Sequence, residues 1–229
     1  MLPGSSCGWE FDLACGGGLK RRVEREWLDE LPAGDFEALR SRRDLLLLDF
    51  LIGASVFVVR EMEFRLWVPR SVLELGAGDG RLCRRLAGIL GVESVVGCDF
   101  LGRPEGLGRG VGWVQGDLRE VCRGLQVEAI VGTLILHHLS DEDLREAGVW
   151  MSRARLLIFV EPLRDAATVL MSRLVFPFVG RVTRHDMVVS LRAGFREGEL
   201  KGLLGLDEGW VVREVRAWPG ILRWSAWRR

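Results

Sequence analysis

The chain reads as an α/β protein: a doubly wound, seven-stranded, mostly parallel sheet closed by an antiparallel C-terminal hairpin, with a helical cap at the N-terminus. Three observations predict this. From Ser71 onward, short apolar runs alternate with segments whose apolar residues recur at helical spacing. The first of those runs, Val72–Leu75, is apolar enough to be covered on both faces, as strands of a parallel sheet are. Finally, Trp218-Pro219-Gly220 leads directly from Trp210–Val215 into Ile221–Trp227. So short a link makes those two strands antiparallel neighbours.

The elements follow in order. Val23, Trp27, Leu28 and Leu31 mark one face of a short helix that stops at Pro32. Asp35 is placed to cap a longer helix through Phe36, Leu39 and Leu45–Leu48 toward Val59. After the first strand, Leu82, Cys83, Leu86, Ile89 and Leu90 keep helical spacing. Ser94–Cys98 is a second strand ending at Asp99. The connection Leu101–Gly110 holds Pro104 and four glycines, which argues against a helix there. Val111–Gly116 is a third strand ending at Asp117, and Glu128–Leu136 a fourth. Ser140 then caps a helix, with Asp143 in the capping-box position. Arg155–Val160 is a fifth strand ending at Glu161-Pro162, and a helix over about Phe195–Leu206 leads to the hairpin. This alternation implies right-handed crossovers.

Composition narrows the setting. With 32 basic and 32 acidic residues the net charge is zero, so no global field draws the chain to nucleic acid or an anionic membrane. The five cysteines, Cys7, Cys15, Cys83, Cys98 and Cys122, form no C-x-x-C pair, and reduced thiols in the cytoplasm are expected. Neither a zinc site nor any other metal is expected. The first twenty residues do not resemble a secretory signal. Leu45–Val59 and Val169–Val179 are interrupted by Asp49 and Arg173 and fall short of the roughly 20 residues a membrane span needs. Lys20 and Lys201 are the sole lysines, and Asn and Tyr are absent, the imprint of a GC-rich, bacterial genome.

The run Val72-Leu-Glu-Leu-Gly-Ala-Gly-Asp-Gly80 is a strand, an acid and a glycine turn opening a helix. Its G-x-G-x-G spacing departs from the G-x-G-x-x-G of dinucleotide sites, since Arg81 stands where the last glycine would be. Glu74 ahead of the turn would repel a pyrophosphate and suits a ligand carrying a sulfonium and an ammonium. The run resembles motif I of the class I S-adenosylmethionine (SAM) dependent methyltransferases, and the likeness extends over about Val68–Arg228. The resemblance implies SAM as cofactor. It places Glu74, Gly76, Ala77, Gly78 and Gly80 around the methionyl end, and Asp99 on the ribose hydroxyls. There a charged hydrogen bond contributes about 1.5–3 kcal/mol. Phe100, Asp117 and Leu118 would surround the adenine, with Thr133 beside the cofactor.

The fourth strand ends in Leu136-His137-His138-Leu139, with no amide-clamping Pro-Pro-Tyr type motif after it. That resembles small-molecule methyltransferases of the quinone-biosynthesis and natural-product type, which implies a small, apolar aromatic or polyketide-like acceptor, methylated at oxygen or carbon. His137 and His138 are able to face the cleft or to pack under the following helix. The segment Arg184-His185-Asp186, followed by Ser190 and Arg192, falls where the family inserts substrate-covering elements. His185 oriented by Asp186 suits a general base, and Arg184 or Arg192 an anion contact. Residues 1–20 are expected to be a flexible tail, 21–62 the helical cap and 63–229 the SAM-binding domain, with 164–195 the substrate cover. A homodimer is allowed. A non-catalytic SAM sensor and a methyltransferase of lipids or protein side chains are the competing readings.

Overall fold

The structure, a computed structural model, describes residues 19–32 and 34–229, so most of the expected tail lies outside the described residues. One seven-stranded sheet organises the chain. Its strands are β1 (Ser71–Leu75), β2 (Ser94–Asp99), β3 (Val111–Gln115), β4 (Ala129–Thr133), β5 (Leu156–Pro162), β6 (Trp210–Ala217) and β7 (Ile221–Arg228), in the spatial order 3-2-1-4-5-7-6. β1 to β5 pair in parallel, and β7 runs antiparallel between β5 and β6. The predicted sheet and its closing hairpin are both present.

Helices cover both faces. α3 (Ala54–Glu63) and α4 (Arg81–Leu86) bury Val58, Met62, Leu82 and Leu86 against Val72, Val131 and Ile158. On the other face, α5 (Leu118–Val121), α6 (Asp141–Met151) and α9 (Glu199–Leu203) bury Leu118, Leu144, Trp150 and Leu200 against Leu73, Phe159 and Trp224. Ser140 and Asp143 close the capping box at the start of α6 as the sequence predicts.

A third group of helices lies over the carboxyl ends of the strands. It consists of α1 (Trp27–Glu30), α2 (Phe36–Ile52), α7 (Ala166–Ser172) and α8 (Arg181–Ala193). Side chains fasten it together. Asp44 accepts from the Thr183 hydroxyl at 2.8 Å and from the Gly180 amide at 2.7 Å, which joins α2 to the start of α8.

Three expectations change. The helix foreseen from Asp35 to Val59 is broken at Gly53, whose left-handed conformation (φ 62°) turns the chain from the cap onto the sheet. β4 ends at Thr133 instead of Leu136, because Leu134 adopts φ 55° and the chain enters a 3-10 turn over Leu136–His138. A non-glycine residue there costs about 1–2 kcal/mol, offset in part by the 2.8 Å bond from the Leu134 amide to the Val160 carbonyl. The last helix is confined to Glu199–Leu203, and the Arg184–Phe195 segment is mostly the long helix α8.

Candidate functional site

The turn after β1 forms a cradle. Gly76 and Gly78 hold φ of 64° and 51°, and the Ala77 amide donates to the Cys98 carbonyl, tying the turn to β2. A methyl at Gly76 would lie 2.8 Å from the Ile135 side chain, whereas one at Gly78 would meet nothing within 4 Å. One glycine is therefore needed for packing and the other leaves open space. Gly76→Ala is expected to cost about 2–4 kcal/mol, adding overpacking to left-handed strain, and Gly78→Ala about 1–2. Urea unfolding of the two variants tests this order, and equal losses would contradict it.

Beneath the cradle, Glu74 is buried, and its Oε2 has no hydrogen-bond partner. Desolvation pushes its carboxyl up to about 8, with the nearby acids Asp79 and Asp99 adding to the rise and Cys83 opposing it. An orphaned buried carboxylate oxygen next to an open glycine turn fits a ligand that brings a cation.

Asp99 at the end of β2 accepts from the Gly78 amide and from the Leu101 amide, each at 2.8 Å. It thereby holds the cradle and stands beside it, which suits a hydroxyl-binding role. Phe100 is exposed. Asp117 caps α5 through the Arg119 amide, and the Arg119 guanidinium, bonding the same carboxylate, holds it below the usual carboxylate range. Leu118 is buried, its side chain packed into the core instead of standing open beside Asp117. Thr133 closes β4, two residues before Ile135.

The 3-10 turn after β4 belongs to the same region, because Ile135 packs on the glycine cradle. Glu161, fully buried at the end of β5, accepts from the Ile135 and Leu136 amides at 3.1 and 2.8 Å. It also pairs with His137 Nδ1 at 2.8 Å. On the other edge of that ring, Nε2 lies 3.6 Å from Oε1 of Glu26, just ahead of α1. Burial alone would lower the His137 pKa, but the hydrogen bond to Glu161 and the nearby charge of Glu26 outweigh it and raise the value to about 9. Ser190 of α8 donates to the same Glu26 oxygen.

His185 stands on α8, five residues before Ser190. Its Nδ1 lies 2.8 Å from Asp186 Oδ1, and its ring stacks on Trp27 with centroids 3.7 Å apart and planes 7° from parallel. Asp186 also accepts from the Trp27 and Leu28 amides at 2.8 and 3.0 Å, so it docks α1 as well as orienting His185. Arg184 is exposed and donates to the Val179 carbonyl. The histidine and the carboxylate that follows it are thus paired, while Arg184 turns to the Val179 carbonyl.

Glu26, Glu161 and Ser190 complete the region; the sequence pointed to Glu161 at the end of strand five and to Ser190 after His185 without giving either a defined role, and did not point to Glu26. Glu161 had a signal: it is a strand-end acid like Asp99 and Asp117. Glu26 had none, since the cap delivers it from a helical face that looks solvent-exposed in sequence.

A sheet of order 3-2-1-4-5-7-6 with strand 7 reversed, and a glycine turn after strand 1, defines the class I methyltransferase fold. Solved structures of that fold resemble this one. The plantazolicin methyltransferase BamL, in complex with a triazolic desmethylPZN analogue and SAH, matches 88% of this chain and 92% of its own at 12% identity and a TM-score of 0.67. The methyltransferase domain of bacterial CtHen1 matches 79% of this chain and 99% of its own, at 15% identity and 0.52. A protein of Nostoc punctiforme assigned as an O-methyltransferase matches 92% of this chain and 64% of its own, at 11% identity and 0.58. At these identities the likeness is one of fold. No protein-family model and no curated protein matches the chain.

Proposed function

We propose that this chain is a SAM-dependent methyltransferase acting on a small, apolar aromatic or polyketide-like acceptor. The buried, unpartnered Oε2 of Glu74 beside the glycine cradle carries the cofactor part of this reading. Neighbours of the same fold whose names record bound SAH support it. In this assignment Glu74 and the Gly76–Gly80 turn take the methionyl end, Asp99 the ribose, and Phe100 with Asp117, the Leu118 backbone and Thr133 the adenine side. When bound, SAM supplies a methyl group made electrophilic by its sulfonium.

This chain's own part is to align the acceptor and to take its proton. Asp186 holds His185 Nδ1 and leaves Nε2 as the basic nitrogen, with Trp27 fixing the ring plane. Arg184 contacts an anionic group of the acceptor. Exposed Leu46, Leu47 and Phe50 on α2, with Leu170 and Leu174 in and after α7, support an apolar acceptor. Among the described residues no helix is long and apolar enough to cross a membrane.

Thermal unfolding with SAH and with NAD tests the cofactor: SAH should raise the midpoint and NAD should leave it unchanged. A shift with NAD alone would reject the assignment. Transfer from labelled SAM to a panel of phenols tests the acceptor class. On an accepted phenol, His185→Gln should lower kcat by about 10²–10⁴ with little change in KM. Full turnover by that variant would remove His185 from the mechanism, and labelling of lipid or protein alone would replace the acceptor class.

A further inference from the structure

We propose that Glu26, His137 and His138 form a binding site for a divalent first-row transition-metal ion such as Zn²⁺ or Co²⁺. One ligand atom from each residue lies within 4.8 Å of the others. Two imidazoles and one carboxylate make a borderline donor set, suited to these metals and not to Mg²⁺ or Ca²⁺, which prefer all-oxygen shells. The sequence gives no hint of the site. His137 and His138 are neighbours on the 3-10 turn after β4, but the third ligand comes from the distant cap.

The surroundings are those of a supported ligand set. Glu161 holds His137 Nδ1 at 2.8 Å, which fixes the ring and leaves Nε2 directed toward Glu26. A carboxylate behind a ligating histidine is the usual outer support of such sites. Ser190 donates to the same Glu26 Oε1 and so fixes that carboxylate in place. The 3.6 Å separation of Nε2 and Oε1 is too long for a hydrogen bond, yet close to the roughly 3.3 Å between ligand atoms around a tetrahedral ion with bonds of about 2.0–2.2 Å. No edge of the triangle exceeds 4.8 Å, so each must close by at most about 1.5 Å to reach tetrahedral spacing, within reach of side-chain rotation.

Two carboxylates, Glu26 and Glu161, flank the buried imidazole of His137. Three ligands leave a fourth position open, on a turn that packs against the glycine cradle through Ile135. Because the ligands come from the cap and from the turn after β4, the ion would also pin one to the other.

The test uses the untagged full chain, stripped with EDTA and titrated with Co²⁺. One equivalent should produce the visible d–d bands of a low-coordinate N/O site, without the near-ultraviolet thiolate band that binding at the cysteines would give, and Zn²⁺ should abolish them. His138→Ala and Glu26→Gln should each weaken binding at least tenfold while retaining the wild-type circular dichroism. His137 is avoided because its loss would strand Glu161. Absence of Co²⁺ binding in the wild type, a thiolate spectrum, or unchanged binding in both variants would overturn the proposal. SAH binding measured on the same metal-free sample reports separately on the cofactor reading.

Discussion

SAH is expected to bind this chain more tightly as pH rises from 6 to 8, by up to about tenfold per pH unit, and Glu74→Gln is expected to flatten that dependence. The sign follows from burial. In the free protein desolvation pushes the Glu74 carboxyl up to about 8, aided by Asp79 and Asp99 and opposed by Cys83, so it is mostly protonated at neutral pH. An ammonium placed beside it favours the ionised form, so binding expels a proton, and a reaction that releases a proton is favoured by higher pH. Above about pH 8 the carboxylate is already ionised and the dependence ends. Calorimetry in buffers of different ionisation heat would count the released proton directly. A pH-independent affinity in the wild type would mean that Glu74 does not meet the ligand's cation.

The same shift governs the free protein's stability. Glu74 has a folded pKa near 8 against a reference of 4.5, so the folded state holds a proton that the unfolded state has lost between those values. Its contribution is greatest below about pH 4.5 and is lost as pH climbs through 8. Glu74→Gln removes this penalty and should stabilise the ligand-free protein at pH 8–9 by about 1–3 kcal/mol, while weakening SAH. Gain of stability with loss of binding is the signature of a charge buried for function.

The strand-end elements of the candidate cofactor region were legible in the sequence, and the polar region beside them much less so. Glu74, the glycine run and Asp99 lie at the ends of adjacent strands, and a strand end is a local pattern that apolar runs and turn residues disclose. The His185–Asp186 pairing was also readable, because both residues lie on one short stretch. What joins them to the rest of the cleft was not. Asp186 holds the amides of Trp27 and Leu28, and Ser190 reaches Glu26 across a separation of 164 residues. No spacing rule reports contacts between a cap and a sheet. The turn at Leu134 was hidden for another reason: a leucine gives no sign that it will adopt φ 55°. The Glu161 carboxylate gathers the three amides that follow Leu134, those of 135–137.

Substitution of Glu161 should therefore be the most damaging single change in this region, and Gln should be nearly as harmful as Ala. The carboxylate accepts from the amides of Ile135, Leu136 and His137 and pairs with His137 Nδ1, all in a site closed to water. Glu161→Ala leaves three backbone donors and a buried imidazole without a partner, an expected loss of about 3–5 kcal/mol. Glu161→Gln keeps the volume but turns one acceptor oxygen into an NH₂ group, which must face donors. At an exposed glutamate this change is close to neutral; here it should cost at least about 2 kcal/mol. Urea unfolding gives the loss, and hydrogen exchange locates it, with the amides of 135–137 losing protection before the rest of the sheet. Because Ile135 packs on Gly76, the released turn should also loosen the cradle and weaken SAH even where the variant stays folded. A Gln variant within about 0.5 kcal/mol of wild type, with unchanged exchange at 135–137, would show that the turn stands without the carboxylate.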